Sequence, residues 1–139
     1  MEIPNGLKEK LVNEIEFVVE KIRTENDIRT KIYYFSGVYG EMLRMLNISF
    51  DPQLLFAHNV LNNSYQTMRI RADTVILGRD TTIDFPDGFF DRLCTLLEEL
   101  ANNIKNNQNL YQTLQNIACL SYITTGNGYY LFQKGIIKV

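Results

Sequence analysis

Apolar residues recur every three or four positions through the first third of the chain, which is the spacing of amphipathic helices. The first stripe predicts a helix over about Pro4 to Glu25, and its members are Leu7, Leu11, Ile15, Val18 and Ile22. Asn26 and Asp27 interrupt the pattern and are suited to cap a second helix. The second stripe comprises Ile28, Ile32, Phe35, Tyr39, Met42 and Leu46. The short link between the stripes predicts an antiparallel helix pair.

Three further helices are indicated by start signals and by renewed apolar spacing. Asp51-Pro52 combines a capping side chain with a proline at the first helical position, and the stripe that follows continues to Met68. Acidic residues within 84–87 precede a stripe over 89–104, as expected for the positive end of a helix dipole. A fifth helix is predicted over about 109–124.

Two segments have patterns that favour β-structure. Residues 74–83 carry β-branched runs on both sides of Gly78-Arg79 and predict a short hairpin, although the third helix could instead extend through Ala72 to Val75. Near the C-terminus, Gly126-Asn127-Gly128 precedes two short apolar runs, 129–132 and 136–139. This arrangement predicts a β-hairpin, which would need a partner strand to be stable.

The predicted fold is therefore mainly α. We expect one helical domain over residues 1–139, formed by a bundle of four to five helices with a small antiparallel β-hairpin element near the C-terminus. A chain that is 45% hydrophobic and 22% charged agrees with a globular domain of this size.

Charge and hydropathy narrow the environment and the partners. The net charge of −2 argues against nucleic acid as the partner. The chain has no apolar run long enough to span a membrane and no secretory-type segment after Met1, so we expect a cytoplasmic protein. Cys94 and Cys119 lie in apolar helical segments, where two reduced thiols are the first interpretation and a disulfide or a reactive thiol is the alternative.

The most unusual feature is a run without charge. Between Lys105 and Lys134 no charged residue occurs, where average composition would place roughly six. Such a segment is either enclosed by the rest of the domain or covered by another subunit. Because interfaces are poor in charge and rich in tyrosine, we predict a homo-oligomer, most simply a homodimer. The interface candidates are Tyr111, Leu114, Ala118, Tyr122, Tyr129 and Tyr130.

Catalytic and metal-binding patterns are hard to find. His58 is the only histidine, and the three histidine and cysteine side chains are too few for structural zinc, so we predict no metal, no cofactor and no catalytic residue. Gly37 and Gly40 in the second helix indicate close helix–helix contact. The alternative is the floor of a ligand pocket whose polar groups would be Glu41, Tyr39 and His58.

Three functions from different classes follow from these observations. The first is a non-catalytic oligomeric interaction or regulatory module, which depends on the charge-free run. The second is an enzyme or a protein that binds a small ligand of unknown identity in the pocket around His58, Glu41 and Tyr39. The third is a weak nucleic-acid binder that uses Arg69 and Arg71, the central members of the one basic cluster.

Overall fold

A computed structural model describes residues 1–76 and 85–139, and within these ranges the chain forms six helices and no strand. The prediction of a mainly α fold is therefore confirmed. The helices are α1 (Asn5–Thr24), α2 (Ile28–Leu46), α3 (Pro52–Ile76), α4 (Phe89–Lys105), α5 (Tyr111–Tyr122) and α6 (Gly126–Gln133).

Capping side chains define the starts of α2 and α3, as their sequence predicts. The Asp27 carboxylate accepts a hydrogen bond from the backbone N–H of Thr30 at 3.0 Å. Asp51 accepts one from the N–H of Leu54 at 3.0 Å, and another from the N–H of Glu2 at 2.9 Å. The bonds from Thr30 and Leu54 each satisfy a backbone donor that has no partner within its helix, so both helices begin at a defined residue.

The first five helices pack in a closed ring around one core. α1 packs on α2 and α4, α2 packs on α3, and α5 closes the ring because it contacts both α3 and α4. The apolar stripes meet inside this ring, where Phe35, Leu61 and Leu97 are fully buried. The arrangement places the helices that carry most of the charge, α1, α2 and α4, next to one another. α3 and α5 form the remaining side.

The predicted C-terminal β-hairpin is wrong. Residues 126–133 form α6 instead, and 136–139 form no strand. The Thr125 hydroxyl accepts a hydrogen bond from the N–H of Gly128 at 3.0 Å and so acts as an N-cap. Gly126-Asn127-Gly128 is therefore the first turn of a helix and not a strand-to-strand turn. The four apolar residues that follow are too few to distinguish a period of 2 from one of 3.6.

The hairpin predicted over 74–83 lies partly outside the described residues. Its beginning belongs to α3, which continues to Ile76, so the alternative of an extended third helix agrees with the structure there. Residues 77–84 lie outside the described ranges. None of the helices within 1–76 and 85–139 combines the length and apolar character that crossing a bilayer requires.

Candidate interaction surface

α3 and α5 share an outer surface that contains no charged side chain. Residues 52–68 of α3, like the run from Asn106 to Gln133, contain no Asp, Glu, Lys or Arg. Since α3 and α5 pack side by side, the two runs form one continuous surface. We call it the neutral face, and its exposed residues on these two helices are Pro52, Leu55, Phe56, Asn59, Asn63, Gln66, Tyr111, Gln112, Gln115 and Tyr122.

An aromatic stack joins the two helices at one end of the neutral face. The rings of Phe56 and Tyr111 lie parallel, with an interplanar angle of 6° and centroids 5.9 Å apart. The two residues are 43% and 59% exposed, so much of the stack faces solvent. Stacked aromatic rings offer a large apolar area that is already ordered, which is the property of the residues that dominate protein–protein binding energy.

The inner side of the charge-free run is buried within the subunit itself. Leu114 and Ile117 are fully buried, and Thr113 accepts a hydrogen bond of 2.8 Å from the Asn103 side chain of α4. Of the predicted interface residues, Leu114 is therefore inaccessible to a partner. Ala118 and Tyr129 are half-buried, whereas Tyr111, Tyr122 and Tyr130 are exposed. The run is thus enclosed on one side and open on the other.

Further exposed apolar residues surround the connection between α2 and α3. Leu43, Ile48 and Phe50 are at least half exposed, and Leu55 follows in the first turn of α3. We did not predict this group. The signal in the sequence was a second run nearly free of charge, since Asp51 is the only Asp, Glu, Lys or Arg over 45–68. Asp51 is itself buried, and its carboxylate accepts two backbone hydrogen bonds.

The residues predicted to line a ligand pocket fall into two groups on opposite sides of α2. Gly37 faces α1, because a Cβ atom built on it would lie 2.8 Å from Oε1 of Glu14. Glu41 lies near the same carboxylate and forms an ion pair with Arg44. Burial raises the pKa of Glu14 above its ordinary value, and the Glu41 charge raises it further. Gly37 therefore permits a close contact between α1 and α2.

Tyr39 and His58 are on the other side of α2, toward α3. Their ring centroids are 5.8 Å apart, and Tyr39 also contacts Tyr65 with centroids 5.5 Å apart. The His58 ring is in hydrogen-bond contact with the Asn59 side chain at 3.1 Å. Among the described residues and apart from the α2 backbone, a Cβ atom added at Gly40 would have only Arg44 within 4 Å. The structure therefore brings Tyr39 and His58 together and does not bring Glu41 to them.

Arg69 and Arg71 also point in different directions. Arg71 donates a hydrogen bond of 2.6 Å to the carbonyl oxygen of Thr124, and so ties α3 to the segment before α6. Arg69 is exposed and lies beside Tyr65 and Tyr33 in a pocket between α2 and α3. Residues two positions apart on a helix are separated by about 200° around its axis, so Arg69 and Arg71 do not form one basic patch.

The two cysteines are free, and their surroundings argue against thiolate chemistry at Cys94. Burial raises the pKa of the Cys94 thiol to about 11, which keeps it protonated at neutral pH. Cys119 is half-buried on α5. Within residues 1–76 and 85–139, no three His, Cys, Asp or Glu side chains converge in a way that would hold a metal ion.

Comparisons of the chain with protein-family models, with curated proteins and with solved structures returned no match.

Proposed function

We propose that this protein is a non-catalytic interaction module that acts as a cytoplasmic homodimer through the neutral face. The observation that supports the proposal most is the exposed stack of Phe56 on Tyr111 within a surface that carries no charge. Large aromatic residues on a surface poor in charge are typical of the centre of a protein interface.

The absence of charge favours a second copy as the partner. Two identical surfaces meet across a twofold axis, so each charged residue near the axis would approach its own copy and be repelled. The neutral face avoids this repulsion, and its Asn and Gln side chains supply both donors and acceptors to a copy. A partner of opposite charge would gain nothing from this surface by electrostatic attraction.

The dimensions of the neutral face suit a small stable interface. Two adjacent helices of this length cover a patch of roughly 25 by 20 Å, since each residue adds about 1.5 Å and each helix is about 10 Å wide. A standard interface buries roughly 800 Å² of accessible surface per partner. Side chains make the accessible area larger than the flat footprint, so the face approaches this size together with Phe50 at its edge.

Sedimentation equilibrium of matched variants tests the proposal. We expect a dimer that Phe56→Ser weakens about a hundredfold, because one aromatic anchor is worth about 1–2 kcal/mol and is lost twice in a symmetric dimer. Phe17→Ser is the control, since Phe17 on α1 is equally exposed at 45% and also contacts one aromatic ring, that of Tyr34. The control should dimerise like the wild type.

Two results would overturn the proposal. One is a wild-type protein that stays monomeric at every concentration at which it is soluble. The other is an equal loss of dimer in the Phe56 and Phe17 variants, which would place the interface elsewhere. Circular dichroism of both variants shows whether each retains the helical fold.

A further inference from the structure

A second surface, independent of the neutral face, lies between α2 and α3. The helices leave a shallow pocket there with a volume of about 250 Å³. Ile32 and Ala72 lie at its base but are almost fully buried, so its accessible lining comes mainly from tyrosine and charged side chains. Tyr33 and Tyr65 stand at its sides, and Tyr33 is 68% exposed, which leaves one ring face open to a ligand.

The charges of the pocket leave one cation uncompensated. Two N–H groups of Arg29 donate to one carboxylate oxygen of Asp73, at 2.9 and 3.1 Å, and these charges neutralise each other at one end. Arg69 also lines the pocket, and it makes no hydrogen bond or ion pair with any residue in the described part of the chain. The pocket is thus locally positive in a chain whose net charge is −2.

Tyrosine rings beside a guanidinium that forms no ion pair among the described residues select for a particular ligand chemistry. We propose that this pocket binds a flat aromatic ring that carries a phosphate, as in a nucleotide. The ring would stack on the exposed ring of Tyr33, and the phosphate would accept hydrogen bonds from Arg69. Aromatic stacking and a planar, always charged guanidinium are the usual means of holding these two groups.

The size of the pocket limits how much of the ligand is enclosed. Pockets that bury a whole small molecule usually measure about 300–1,000 Å³, so this one encloses little more than the ring. A free nucleotide and one nucleotide of a single strand would therefore present the same groups to it. The Arg29–Asp73 ion pair neutralises two of the three charges that line the pocket, so Arg69 is the side chain in the lining that would attract a phosphate.

The test is a titration of the full chain followed by the backbone amide signals of α2 and α3 in NMR spectra. The probes are adenosine monophosphate, adenosine alone, inorganic phosphate and a six-residue deoxyadenylate strand. We expect saturable shifts with adenosine monophosphate, and binding at least tenfold weaker for adenosine and for phosphate alone. The strand distinguishes the sources: tighter binding assigns the pocket to single-stranded nucleic acid, and equal or weaker binding assigns it to a free nucleotide.

Two variants locate the binding. Arg69→Gln should weaken the binding of adenosine monophosphate about tenfold, because it removes a hydrogen bond to a charged group from an exposed side chain that forms no ion pair within the described residues. Arg23→Gln is the matched control, since this arginine is exposed on α1 and pairs with Glu98. The proposal is wrong if no saturable shift occurs up to about 10 mM, a limit of very weak binding, or if both variants behave alike.

Discussion

Replacing Gly128 by alanine is the sharpest test of how α6 is held. A Cβ atom at this position would lie 2.5 Å from the carbonyl carbon of Tyr122 and closer still to the carbonyl oxygen, whereas real Cβ contacts essentially never fall below 3.0 Å. Because the obstructing atoms belong to the backbone, no side-chain rotation relieves the overlap. The start of α6 would have to move away from the end of α5.

The magnitude follows from two opposing effects. Inserting an atom into a packed site costs about 1–3 kcal/mol, and a backbone obstacle places Gly128→Ala at the upper end. Alanine returns about 1 kcal/mol through its higher helix propensity. We therefore expect a net loss of about 2 kcal/mol in the free energy of unfolding, unless α6 separates locally at a smaller cost. Amide hydrogen exchange within residues 126–133 distinguishes these outcomes, since local separation removes protection there alone.

Gly40→Ala is the matched control for the free energy of unfolding. Apart from the α2 backbone, the nearest described atom to a Cβ at Gly40 is Nη1 of Arg44, one turn along the same helix and at an ordinary contact distance of 3.9 Å. Urea unfolding followed by far-ultraviolet circular dichroism should therefore show this variant stabilised by about 1 kcal/mol. The reasoning is refuted if Gly128→Ala is as stable as the wild type and retains the protection of α6.

Three other predictions concern ionisable groups. Burial raises the pKa of Asp51, but hydrogen bonds from the backbone N–H groups of Glu2 and Leu54 outweigh this effect and hold the pKa below 3.8. Asp51→Asn should therefore lower the free energy of unfolding by about 1 kcal/mol at neutral pH. Urea titrations should show this difference between variant and wild type vanishing as the pH falls below 3.8. The raised pKa of Glu14 means that its charge opposes folding above pH 4.5. Glu14→Gln should therefore raise the melting temperature at neutral pH but not below pH 4.5. An unchanged melting temperature at neutral pH would contradict this prediction. Native protein treated with iodoacetamide should be alkylated at half-buried Cys119 before buried Cys94, and mass spectrometry of the peptides would reveal the reverse order.

The candidate surfaces were only partly visible in the sequence. The absence of charge over 106–133 indicated a segment covered by protein, but a linear pattern does not show which side is covered by the subunit itself. Leu114 and Tyr111 are three residues apart in one helix, yet one is fully buried and the other exposed. The packing of α5 between α3 and α4 decides this difference.

The pocket between α2 and α3 shows the same limit more strongly. Arg29 and Asp73 are far apart in the chain, and no local rule pairs them. Their ion pair exists because α2 and α3 pack on each other, and among the described residues it leaves Arg69 as the unpaired cation of the pocket. Conversely, Glu41 and His58 have side chains suited to one site, but α2 directs Glu41 toward Glu14 of α1, whereas His58 is on α3 and contacts Tyr39.

The sequence by itself determined the first five helices and two of their starts, because these depend on apolar spacing and on capping groups within three residues of Asp27 and Asp51. Only the tertiary structure decided that residues 126–133 form a helix. Gly-Asn-Gly has poor intrinsic helix propensity, and its helical form depends on the Thr125 cap and on a contact with Tyr122 that leaves no space for a side chain at Gly128. Local preferences determine elements where they are strong, and packing determines them where they are weak.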